Sequence, residues 1–134
     1  MAEWLALADK WPPHRAKLLE RLMQRLPELL AHDPPPSLLH GDLWHGNCLA
    51  LSEGQAALID PSPYFGDREA DLAMTRLFGG FPAAFYDAYE AEWPLDAGAT
   101  ERVPIYNLYH LMNHLLLFGE SYGTGIDRIL NHYA

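Results

Sequence analysis

Two apolar runs of four residues, 48–51 and 56–59, flank the turn-formers Ser52, Glu53, Gly54 and Gln55. This is the feature that most restricts the fold. Runs this short, joined by such a turn, predict one β-hairpin. If Leu51 pairs with Ala56, the same ladder sets Asn47 opposite Asp60 at the open end. Directly opposed residues hold their Cβ atoms roughly 5 Å apart. A carboxamide oxygen and a carboxylate at that spacing can share one hard divalent cation, and magnesium prefers such oxygens and retains several waters. A slip of one residue would turn a side chain to the other face.

The surroundings of the hairpin are helical. Leu18, Leu19, Leu22, Met23, Leu26, Leu29 and Leu30 recur at threes and fours between charged residues, and Pro27 is expected to kink or divide that helix. The run DPPP at 33–36 ends it in extended chain. Beyond Gly66, Asp71 is placed to cap a helix starting at Leu72, which Gly79 and Gly80 would close. Further helices are expected over 82–92, over 101–118 as a buried central helix, and over 126–133. The predicted fold is mainly α with a small β-hairpin, an α+β arrangement. One domain over residues 1–134 is expected, comprising a leading helical segment (1–36), a loop and hairpin (37–63) and a helical subdomain (64–134).

The chain has 134 residues, and its formal charge of −9 with only nine Lys or Arg argues against nucleic acid or an anionic membrane as partner. Its opening residues are too polar for a signal peptide, and the longest apolar run is LLLF at 115–118, far short of the roughly 18 residues of a membrane span. One cysteine, Cys48, excludes an internal disulfide and fits a reducing cytoplasm.

Asp42 lies five residues before Asn47, in a loop that Gly41 and Gly46 allow to turn tightly. Transfer of a phosphoryl group to an alcohol requires a base for the hydroxyl proton and ions bridging the transferred phosphate. The Asp-x-x-x-x-Asn spacing, followed by Asp at the end of the next strand, matches a kinase catalytic loop and metal aspartate. Magnesium would also reconcile an acidic chain with a polyphosphate substrate.

HGDLWHGN, ALIDPSPYFGDREADLAM, LFGGF, FYDAY and LYHLMNHLLLFG together resemble the C-terminal lobe of the fructosamine kinase family, within the protein-kinase-like fold of aminoglycoside and choline kinases. The resemblance runs from about Ser37 to the end. It implies that Asp42 is the catalytic base and that Asn47 and Asp60 hold magnesium with ATP. It implies that His40 is a structural loop histidine and that Asp71 braces the loop from below. Trp44 and His45 would lie where a sugar-like substrate approaches, with Trp44 suited equally to stacking on a sugar and to packing under the loop. The implied reaction is ATP-dependent phosphorylation of a sugar hydroxyl on a ketosamine, leading to deglycation. Pro61 after the metal aspartate departs from the Phe of protein kinases but fits the fructosamine kinase pattern.

A complete kinase also has a Gly-rich loop, a strand lysine and a helix glutamate in an N-terminal lobe. The lysines here are Lys10 and Lys17, in or near the first helix, and no G-x-G-x-x-G occurs. The chain is therefore expected to be a C-terminal piece with the N-terminal lobe as its missing partner, to have little activity alone, and to expose the surface between lobes. The alternatives are another small-molecule kinase, acting on an aminoglycoside, choline or homoserine, and a non-catalytic remnant serving as a binding domain. His110 and His114 lie four apart, a spacing open to zinc or to polar residues beside a core, but HLMNH lacks the glutamate of zinc proteases. Asp67, Arg68 and Glu69 suit either a local capping and ion-pair cluster or substrate contact.

Overall fold

The structure is a computed structural model that describes residues 11–134; Lys10 and the opening segment lie outside them. The chain gathers into two compact units. One joins the described part of Met1–Ala31 to Leu111–Ala134, and the other is His32–His110.

In the first unit, α1 (Pro13–Leu29) starts with proline in its first turn, where a missing N–H costs nothing. The helix continues through Pro27, so the expected division does not occur. Pro27 stands in the last turn, and the helix ends two residues later. Leu22 of α1 and Ile126 and Leu130 of α5 (Gly123–Tyr133) are fully buried, and the two helices pack together. Between them Arg15, 2% exposed, donates two hydrogen bonds to Asp127 (2.7 and 3.0 Å) and two to Glu120 (2.5 and 3.2 Å). Those bonds raise the Arg15 pKa and hold both carboxyls below the usual carboxylate range.

The second unit contains two small antiparallel sheets. β2 (Cys48–Ala50) and β3 (Ala56–Leu58) form the expected hairpin. The other sheet, β1 (Ser37–Leu39) with β4 (Tyr64–Gly66), was not anticipated. Three-residue strands next to a proline run and a glycine carry almost no alternation, so the sequence gives little sign of them. This second sheet positions the site, because pairing Leu39 with Tyr64 brings both ends of the 40–63 stretch together.

α2 (Arg68–Leu77) begins four residues earlier than expected, because Asp67 rather than Asp71 caps it by accepting from the Glu69 N–H (2.9 Å). Asp71 lies within the first turn and is free to bond elsewhere. β1 packs against α2, and Leu39, Leu43, Leu72, Ala73 and Met74 form the core there. α3 (Ala83–Glu92) is anchored at its end by buried Arg68, which stacks on Trp93 (4.0 Å) and donates to the Trp93 and Pro94 carbonyls. α4 (Ala99–Phe118) starts in this unit, where Ile105 and Leu108 are buried. It is less enclosed than its apolar sequence implied: Tyr109, Leu117 and Phe118 are exposed.

Candidate active site

The hairpin register differs from the sequence-based one by a single residue. Cys48 faces Leu58 and Ala50 faces Ala56, so the next position along sets Asn47 beside Ile59, whose N–H donates to the Asn47 carbonyl (3.0 Å). The turn is the reason. Glu53 (φ 61°) and Gly54 (φ 74°) are consecutive left-handed residues that close it over three residues instead of four, and the Leu51 N–H donates to the Gln55 carbonyl (2.8 Å). Asp60 therefore lies one step beyond the ladder. Its own φ of 52° is left-handed, a conformation that aspartate tolerates better than most residues. The chain swings out of β3 at that point, and the exposed Asp60 carboxylate is aimed by this turn rather than by strand alternation.

The loop from His40 to Asn47 is fixed by polar contacts on several sides. Asp71 accepts from the His40 N–H (2.6 Å) with one oxygen and from the Gly41 N–H (3.0 Å) with the other. The Ser62 N–H donates to the His40 carbonyl (2.8 Å). The His40 ring completes the clamp: Nε2–H donates to the Ile59 carbonyl (2.9 Å) and Nδ1 accepts from the Asp42 N–H (3.2 Å). These two partners call for the same tautomer, with its proton on Nε2. The histidine thus ties the residue before Asp60 to the backbone of Asp42.

Asn47 is buried, and its amide nitrogen donates both to the Asp42 carbonyl (2.9 Å) and to the Asp42 carboxylate (3.1 Å). Both amide hydrogens are engaged there, which leaves the amide oxygen as the group that can meet a cation. The structure therefore brings Asp42 and Asn47 into direct contact and links His40 to both arms of the loop. Asp60 adjoins them through Ile59, whose N–H is bonded to Asn47.

Trp44 and His45 are positioned by packing. The indole lies over Gly46, where an added Cβ would stand 2.3 Å from the ring, and meets His45 and Phe78 edge-on at 5.0 and 6.3 Å. The His45 ring lies against Gly80, where a Cβ would come within 2.7 Å. Both residues thus dock the loop on the turn after α2.

A second polar cluster surrounds the start of α2. Asp67 accepts from Tyr106 O–H as well as from its cap donor, and lies 2.6 Å from His32 Nε2. Glu69 accepts two 2.7 Å bonds from Arg102, and both side chains are buried. The His32, Asp67 and Glu69 ligand atoms fall within 4.8 Å of one another, close enough for a metal ion. Here the Arg102 guanidinium supplies the positive charge and the oxygens are already bonded. Asp67 and Glu69 thus form a capping and ion-pair cluster, while Arg68 points instead to Trp93 and Pro94; Tyr106, His32 and Arg102 were not anticipated as partners. The D-x-E pattern before an apolar run was the signal for the cap. His110 and His114 lie against aromatic rings, His110 on Tyr109 and His114 on Phe118 and Tyr122.

With this geometry in place, the comparisons with known proteins agree with one another. A kinase-like C-terminal lobe is the class of protein that the helical fold and its loop define. The model of the family described as fructosamine kinase matches residues 4–134. A "Probable ketoamine kinase" of Lactiplantibacillus plantarum is 51% identical over 124 residues, which are 92% of this chain and 44% of that protein. One from Staphylococcus aureus is 46% identical, over 90% of this chain and 43% of its own length. Among solved structures, a candidate fructosamine-3-kinase of Thermobifida fusca superposes with a TM-score of 0.86 at 36% identity, covering 96% of this chain and 46% of that one. The chain belongs to the fructosamine kinase family, and it spans less than half the length of these relatives, on their C-terminal side. Among the described residues no helix is long and apolar enough to cross a membrane.

Proposed function

We propose that this chain provides the catalytic loop of an ATP-dependent kinase acting on ketosamines, the adducts of sugars with amines. The observation that carries the reading is the Asp42–Asn47 contact, on a loop whose backbone is held by Asp71 and His40. Asp42 takes the proton of a substrate hydroxyl as its oxygen bonds to the γ-phosphorus and the bond to the departing ADP oxygen breaks. The Asn47 amide holds the carboxylate in place for that transfer, since its N–H groups reach both the carbonyl and the carboxylate of Asp42.

The donor set suits magnesium: one amide oxygen and one carboxylate are hard oxygen ligands, too few to fill an octahedron and so compatible with retained waters. Asn47 and Asp60 would hold the ion, which when bound neutralises the nucleotide phosphates. His40 and Asp71 act through the backbone of the loop, and Trp44 and His45 fix its far side. Cover for the nucleotide comes, in this reading, from a segment equivalent to the N-terminal half of the relatives. The need for ATP favours a cytoplasmic setting.

The test is a chimera in which this chain follows the N-terminal half of the L. plantarum relative, assayed with ATP, magnesium and Nε-fructosyl-lysine. ADP release and a phosphorylated ketosamine are expected, with only a trace from the 134 residues alone. A folded chimera without transfer would overturn the reading, as would an Asp42→Asn chimera that retains its rate.

A further inference from the structure

A hollow of about 410 Å³ lies beside the catalytic loop, lined by Gly41, Ser62, Tyr64, Tyr109 and His110. This volume falls within the range of small-molecule pockets. Its floor is backbone. Gly41 (φ 82°) approaches Ser62 so closely that a Cβ would lie 1.9 Å from the Ser62 carbonyl oxygen. Gly41 also precedes Asp42, so the floor ends about 3.8 Å of backbone from the base. The walls are aromatic: Tyr64 and Tyr109 are half exposed, and the His110 ring stands edge-on to Tyr109 at 5.4 Å.

We infer that this hollow receives the amine-bearing side of the substrate, an alkylammonium attached to a ketose, against the rings of Tyr64 and Tyr109. The inference rests on the ketosamine reading and adds to it the residues that distinguish a ketosamine from a free sugar. Aromatic faces attract cations and pack on alkyl chains, whereas a neutral ketose gains only the second of these. The local field favours a cation too. The Tyr64 phenol is pushed up by burial and, beyond that, by Asp71, Tyr109 and Asp67. Burial disfavours a charge of either sign, but the negative field of Asp71 and Asp67 that adds to the shift acts in favour of an ammonium. Asp71 is well placed for this, since it bonds the Gly41 N–H under the floor.

Binding to the 134-residue chain tests this without any need for turnover. Titration calorimetry would compare Nε-fructosyl-lysine, fructose and Nα-acetyl-lysine on the parent, Tyr109→Leu, Tyr64→Leu and Tyr109→Phe. Fructosyl-lysine is expected to bind most tightly and to lose roughly tenfold in each leucine variant, while Tyr109→Phe and fructose binding change less than about twofold. Circular dichroism melts confirm that the leucine variants fold. The inference is overturned if the parent does not prefer fructosyl-lysine to fructose, if both ligands weaken equally, or if neither variant weakens either. Selective binding beside an inactive chimera would sink the kinase reading and leave the hollow standing. An active chimera whose KM for fructosyl-lysine ignores Tyr64→Leu and Tyr109→Leu would do the reverse.

Discussion

The loop and hairpin of residues 40–60 and the start of α2 both carry carboxylates, yet use them in opposite ways. At α2, Asp67 bonds to Tyr106, His32 and a backbone N–H, and both Glu69 oxygens are taken by Arg102. In the loop, Asp42 accepts a 3.1 Å bond from Asn47 and is half-buried, and Asp60 is exposed at a left-handed turn. Spare acceptor capacity in a rigid frame marks a group that can meet a proton or a cation. Saturated capacity marks a group that holds structure. Asp71 stands between the two: it lies on the structural helix, but both its oxygens are spent on the loop backbone.

Substitution can break this contrast. The largest expected effect is that of Asp42→Asn in the chimera, a loss of about 10³-fold in kcat, near 4 kcal/mol, with the melting temperature almost unchanged. A stability loss of similar size would instead make Asp42 a structural residue like its neighbours on α2. Glu69→Leu should do the opposite. It strands the buried Arg102 charge and should cost about 3 kcal/mol of unfolding free energy in urea titrations. Molecules that remain folded should keep their affinity for fructosyl-lysine.

The motifs of the loop were legible because their chemistry is local: Asp42, Asn47 and Asp60 lie within 19 residues of one another in sequence. The helices were legible by periodicity, with boundaries within a few residues except at α2. There a nearer aspartate won the cap, because Asp67 has a free N–H two residues on and Asp71 is occupied by the loop. The register was missed because a pair of left-handed residues shortens a turn in a way that the letters Ser-Glu-Gly-Gln do not announce. The β1–β4 sheet and the Glu69–Arg102 pair depend on partners 27 and 33 residues away, and a single sequence carries no sign of such pairings.

The first unit offers a cluster between these extremes. Arg15 is buried, but Glu120 is 67% exposed and Asp127 29% exposed, so its carboxylates remain open to solvent protons. Arg15→Met should cost about 2 kcal/mol, less than Glu69→Leu, because the carboxylates left behind can hydrate. Folding lowers both carboxyl pKa values, Arg15 being the first cause. Their contribution is thus fully present above the ordinary carboxylate pKa near 4 and is lost as pH falls through the lowered folded values. Urea titrations between pH 7 and pH 2 should show a shallower acid decline in Arg15→Met than in the parent. Parallel curves would mean that the cluster is screened like any surface pair.

Tyr106 gives the smallest effect and the opposite sign. Burial first, and then the bond to Asp67, raise its phenol pKa above the ordinary value near 10. Below pH 10 the phenol is protonated in both states and adds no pH dependence. Above it the unfolded chain releases the proton and the folded one keeps it, so stability falls as pH rises, by up to about 1.4 kcal/mol per pH unit for one such group. Tyr106→Phe should cost about 1 kcal/mol at pH 7, where Asp67 loses one of its donors, and should flatten that alkaline decline. Absorbance at 295 nm offers the direct check. In the parent Tyr106 should ionise only on unfolding, and in Tyr106→Phe the absorbance step on unfolding should shrink by one tyrosine. A full tyrosine count titrating near pH 10 in the folded parent would show that Asp67 has acceptor capacity to spare, and the contrast between the two acidic regions would fail at its structural end.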